Sequence, residues 1–146
     1  MIIVVDANII ISAIIDSSGT IGDLLINSDR HFEFIAPQLL ETEVKKSLPK
    51  LSDLTGAKII SLIERQQKVI APIEFISDLK IHHRYRERAQ DLLQTIDPED
   101  EIYLSLAFQY EALLWTGDKR LIRGLRRKQY RDIVTTAELS RIRGLV

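Results

Sequence analysis

The 146-residue chain has no cysteine, four prolines, six glycines, three histidines and one tryptophan. Without cysteine there is no disulfide, no thiolate nucleophile and no thiolate zinc site. No stretch free of charged residues exceeds the nine of Ala7–Ile15, whereas a bilayer-spanning helix needs about 20 apolar residues. The N-terminus has neither a basic leader segment nor a small-residue cleavage site, so the sequence predicts a cytoplasmic protein with no membrane association. Gly117, Gly124 and Gly144 stand too far apart to form a phosphate-cradling loop. No serine, histidine and acid are arranged for acyl transfer; Ser12 merely lies four residues from Asn8. What is present is ordinary globular material, 45% hydrophobic and 28% charged, of a length that fits one domain over 1–146.

Net charge is also nearly absent, at −1, but it is unevenly spread. Seven basic residues and no acid fall between Lys119 and Arg131, which leaves −8 on the rest of the chain. Such a segment is either a phosphate-attracting face or simply solvated charge. Ile2–Val5 is an unbroken apolar, β-branched run ending in an acid, as expected of a strand buried on both faces. Shorter strands are predicted at 34–36, 69–71, 113–116 and 133–135. Helical patterns lie between them. Asn8–Ile15 and Ile102–Phe108 are apolar nearly all round, Tyr85, Ala89, Leu92 and Ile96 form one stripe, and Ile59, Leu62 and Ile63 form a shorter one. Thr135 with Glu138 reads as a capping box, and Asp97-Pro98-Glu99-Asp100 as a helix start with proline at its first position. The alternation predicts an α/β fold, a single-domain three-layer sandwich around a central, mostly parallel sheet.

Ligands of such sheets sit beyond the carboxyl ends of the strands, and that is where the acids fall. Asp6 follows the first strand, Asp118 follows a later one after a single glycine, Asp97 to Glu101 open the helix that feeds it, and Glu43 lies on the helix beginning near Pro37. Carboxylates brought together repel one another unless a cation compensates them. An all-oxygen site suits Mg²⁺ or Mn²⁺ and the hydrolysis of phosphodiesters. Other roles stay open at this point: Asp6, Asp97 and Asp118 all stand where a helix N-cap belongs, and Asp100 complements a helix dipole. Glu41 and Glu43 point about 200° apart on a helix, so only one faces the other acids. His82 reads as a packing residue beside Tyr85, and His31 and His83 lack a convincing partner.

Asp6-Ala7-Asn8, Glu43, Asp97-Pro98-Glu99-Asp100 and Trp115-Thr116-Gly117-Asp118, in that order, resemble the PIN-domain family of metal-dependent ribonucleases, which includes the toxins of bacterial toxin–antitoxin pairs. The similarity runs from the first strand to Glu138. It implies a Mg²⁺- or Mn²⁺-dependent endoribonuclease in which Asp6, Glu43, Asp100 and Asp118 hold metal and water. Asn8 and Thr116 match the family's polar companions, and Asp97 matches an accessory acid or a cap. Ala7 stands where the family often has threonine. The resemblance turns the basic segment into an RNA-contacting face of Lys119, Arg120, Arg123, Arg126 and Arg127. It further implies a small antitoxin partner and a homodimer. Two alternatives compete: a catalytically silent PIN-like module that binds RNA or protein, and a receiver-like phosphoacceptor domain. The latter would need an acidic pair after the first strand and an aspartate ending a central one.

Overall fold

Ile2–Val5 (β1) is the central strand, and Ile3, Val4 and Val5 are each fully buried because helices cover both faces of the sheet. The computed structural model describes residues 1–16 and 18–145. All its sheet pairings are parallel. Glu33–Pro37 (β2) and Ile73–Ile76 (β3) lie in turn on one side of β1, and Leu113–Trp115 (β4) and Ile133–Val134 (β5) on the other, giving the order β3-β2-β1-β4-β5. Val4 pairs with Ile35 on one side and with Leu114 on the other.

The crossovers supply the outer layers. Ala7–Ile15 (α1), Thr20–Ile26 (α2), Leu39–Thr55 (α3) and Ile59–Ile70 (α4) form one layer, in which α1 packs on the other three. On the opposite face Glu101–Gln109 (α6) lies directly on β1, β2 and β4, and His83–Leu93 (α5) covers it. That is why Ile102 to Phe108 are buried without a break. Lys119–Arg127 (α7) packs on β5, and Thr136–Leu145 (α8) reaches back to α2. The Thr135–Glu138 capping box forms: Thr135 N–H donates to Glu138 Oε1 at 2.9 Å and Glu138 N–H to Thr135 Oγ1 at 3.1 Å. Among the described residues no single helix is long and apolar enough to cross a membrane.

Four local expectations are corrected. The predicted strand at 69–71 is the end of α4, where Val69 is buried two turns beyond buried Leu62, and the strand begins only after Pro72. Ile59 and Ile63 are correspondingly exposed, at 44% and 39%. Pro37 closes β2, so α3 starts at Leu39. Ile96 lies beyond the end of α5, where Leu93, four residues after Ala89, completes the buried stripe. His82 is exposed, with its ring 6.4 Å from that of Tyr85, and its backbone N–H donates to Gln109 Oε1. The strand order also removes the receiver-like alternative, because receivers use the order 2-1-3-4-5.

Candidate metal centre

The chain first builds outward from β1 through β2 to β3, then returns to add β4 on the far side of β1. The carboxyl ends of β1 and β4 therefore flank the point where the winding reverses, the usual crevice of an open α/β sheet. Asp6 and Asp118 are delivered there by β1 and β4.

Asp6 is 6% exposed, and both its oxygens are engaged. Oδ1 accepts from Ala7 N–H at 2.7 Å, and Oδ2 accepts from Thr116 Oγ1 at 2.7 Å. Thr116 Oγ1 in turn accepts from Asn8 Nδ2 at 3.3 Å and from Asp118 N–H at 3.1 Å, while Asn8 Oδ1 accepts from Gly117 N–H at 3.1 Å. A closed polar network thus ties the end of β1 to the end of β4. Asp118 caps α7, its Oδ1 accepting from the N–H groups of Arg120 and Leu121.

Asp97, Pro98, Glu99 and Asp100 form a 3₁₀ turn before α6, with Asp97 Oδ1 accepting from Glu99 N–H at 3.1 Å. Residues three apart eclipse in a 3₁₀ turn, so Asp97 and Asp100 present carboxylates to the same side. One carboxylate oxygen each from Asp97, Asp100 and Asp118 lie within 4.8 Å of one another. Asp6 and Glu43 stand beside this triad, outside that radius. Glu43 is half-buried and senses the Asp6 charge, whereas Glu41 is exposed on the other side of α3.

The electrostatics are one-sided. None of Asp6, Glu43, Asp97, Asp100 and Asp118 forms an ion pair among the described residues. Burial, and then the charges of Asp6, Asp97 and Asp118, push the Asp100 carboxyl from 3.8 up to about 8. Burial also raises Asp6, against the opposing hydrogen bonds from Thr116 and Ala7, and burial followed by the Asp6 charge raises Glu43. Asp100 Oδ2 is buried with no hydrogen-bond partner. A divalent cation bound by the triad would neutralise the repulsion, and a buried carboxylate oxygen without a donor calls for such compensation, so the residues present fit a hard, oxygen-ligated ion.

The structure adds a residue that sequence reasoning passed over. Tyr103 is 2% exposed, and its hydroxyl faces Glu43 without closing a hydrogen bond to any acceptor. Burial and the neighbouring Glu43 and Asp6 charges raise its pKa. Its signal was its place three residues after Asp100, on the same helical face. The basic face is also narrower than its sequence suggested. Arg126 closes on Glu138, one guanidinium nitrogen lying 2.7 and 2.9 Å from the two carboxylate oxygens, and donates to Ile133 O as well.

The model of the PIN domain matches residues 4–138. The chain belongs to the PIN-domain family. Two solved structures share the fold. VapBC2 from Rickettsia felis, bound to a DNA fragment from its promoter, aligns at a TM-score of 0.68 and 16% identity over 92% of this chain and 97% of its own. PAE2754 from Pyrobaculum aerophilum aligns at 0.69 and 14% over 99% and 90%. Comparison with curated proteins gives no match. Within this PIN domain, the switch-point crevice is where the acids gather.

Proposed function

We propose that this PIN domain is a divalent-metal-dependent endoribonuclease, using Mg²⁺ or Mn²⁺, and the toxin half of a toxin–antitoxin pair. The observation that carries the reading is the unpaired acid cluster: three carboxylates meeting within 4.8 Å, beside two more, with a buried orphan oxygen and no ion pair to any of the five among the described residues. Asp97, Asp100 and Asp118 hold the ion, with Asp6 and Glu43 completing the acidic wall. When bound, such an ion makes a water acidic enough to attack phosphorus and offsets charge on the leaving oxygen.

The chain's own residues supply orientation and proton handling. Asp6 cannot swing, because Ala7 N–H and Thr116 Oγ1 fix its two oxygens. Asn8 and Thr116 set the spacing between Asp6 and Asp118 through the shared network. Asp118 spends one oxygen on α7 and keeps the other for the crevice. Glu43, half-buried and raised above its ordinary value, is placed to accept a proton from the attacking water. The toxin assignment rests on the family resemblance and on the fold shared with VapBC2, which is bound to a DNA fragment from its promoter. An antitoxin and a second copy of the chain are the partners it proposes.

Purified protein should cut a mixed pool of labelled RNAs with Mn²⁺ or Mg²⁺ and not with chelator, and Asp6→Asn should abolish the cleavage. Equal cleavage by wild type and variant would overturn the proposal. RNA binding without cleavage in any metal would favour the catalytically silent alternative.

A further inference from the structure

A cavity of about 340 Å³ opens between α7 and the Thr95–Ile96 segment, and Arg120, Arg123, Arg127 and Lys128 line it. No carboxylate belongs to its lining. Both walls lead to the acid triad: Ile96 directly precedes Asp97, and α7 is the helix that Asp118 caps. Gly124 makes the walls close, since a Cβ there would lie 2.8 Å from Ile96 Cδ1. We propose that this cavity is a phosphate subsite, holding the backbone of the RNA strand that flanks the bond cut at the acids. The inference rests on the ribonuclease reading above and adds where the substrate lies.

Three features favour a ligand over solvated charge. Arg120, Arg123 and Arg127 have no carboxylate partner among the described residues, while Arg126, beside them in sequence, is taken by Glu138. Their spacing of three and four puts them in one row on the helix. Arg120 also stands in the first turn of α7, where the helix dipole favours acids and disfavours cations. Helix stability alone therefore gives no reason for it. Lys128 joins the same cavity with its Nζ held at 2.6 Å by Leu92 O.

The row also selects the kind of ligand. Its cations do not converge on a point but run along α7, over about 10 Å from Arg120 to Arg127 at 1.5 Å per residue. A row of that length suits a strand carrying successive phosphates rather than a single point anion. No aromatic side chain lines the cavity, so no base can stack there, and the strand is gripped by phosphates without being read.

The test is fluorescence anisotropy of short labelled single-stranded RNA in chelator, where cleavage plays no part. Wild type, Arg123→Ala/Arg127→Ala and Lys68→Ala, on α4, are titrated between roughly 50 and 200 mM salt. The double variant should weaken binding roughly tenfold per arginine and reduce the salt slope by about 1.4, while Lys68→Ala binds as wild type. With Mn²⁺ the loss should fall mainly on KM rather than kcat. Unchanged affinity and slope in the double variant, or wild type that binds no RNA in chelator, would overturn the subsite. Binding that depends on these arginines without any cleavage would instead count against the nuclease reading and leave the subsite standing.

Discussion

Asp6 and Asp100 share the carboxyl edge of the sheet and live in opposite circumstances. Both oxygens of Asp6 accept hydrogen bonds from the network that joins β1 to β4, whereas Asp100 Oδ2 is buried with no partner. Burial raises both carboxyls and the charges of Asp97 and Asp118 add to both, but Asp6 is partly restored by the donors from Thr116 and Ala7, while Asp100 has no such relief. The site is made of two halves. One half is position, fixed by neutral donors that cost little to bury when satisfied. The other half is charge, left without compensation, which only an added cation or a proton relieves.

The largest effect is expected at Asp100. Asp100→Asn should reduce metal-dependent RNA cleavage by more than about 100-fold, since removing a ligand exceeds the 10–100-fold cost of losing a ligand's supporting partner. The same variant should melt higher than wild type in chelator at pH 8, because one repelling charge is gone. A thermal melt beside a cleavage assay checks both.

Next in size is the effect of metal on stability. Between pH 4 and 8 folded Asp100 retains a proton that the unfolded chain has released, so the metal-free protein should lose stability as pH rises through that window. Bound metal needs the carboxylates ionised, so the stabilisation it gives should grow over the same range. At 100-fold excess over Kd it is worth about 2.7 kcal/mol, or roughly 5–10 °C in Tm for a chain of this size. Melting curves with and without Mn²⁺ at pH 5 and pH 8 test the sign.

Thr116→Val attacks the other half. It strips the donor from Asp6 Oδ2 and the acceptor from Asp118 N–H, and should cost about 1–3 kcal/mol in urea unfolding, with 10–100-fold lower activity. The smallest effect is expected at Gly124. In Gly124→Ala the gain in helix propensity, about 1 kcal/mol, offsets the push on Ile96, so stability stays within about 1 kcal/mol of wild type. Metal affinity, measured by Mn²⁺ titration, should nevertheless fall a few-fold as the Ile96–Asp97 segment shifts.

Features encoded within a few residues were legible in the sequence. β1 announces itself as a β-branched run with Asp6 at its end, and the Thr135–Glu138 box and the Asp97-Pro98 turn carry their own signals. Parallel alternation was enough to give the sheet, though not the order that places β4 against β1. Val69-Ile70 misled because a β-branched pair at a helix end looks like a strand until the i+7 match with Leu62 is weighed. Other facts needed the third dimension. Asp97 read as an accessory acid or a cap, and in the fold it caps its turn with one oxygen and joins Asp100 and Asp118 in the triad. Arg126 looked like its basic neighbours until Glu138, twelve residues away, closed on it. Tyr103 looked like core on an apolar helix, and only burial beside Glu43 gives its hydroxyl meaning.

Calorimetric titration of chelator-treated protein with Mn²⁺ asks directly whether the acid triad is a cation site. Wild type should bind at least one ion per chain with saturation, Asp100→Asn should lose that binding, and Lys68→Ala should keep it. Wild type that binds no ion, or Asp100→Asn that binds as wild type does, would contradict the account.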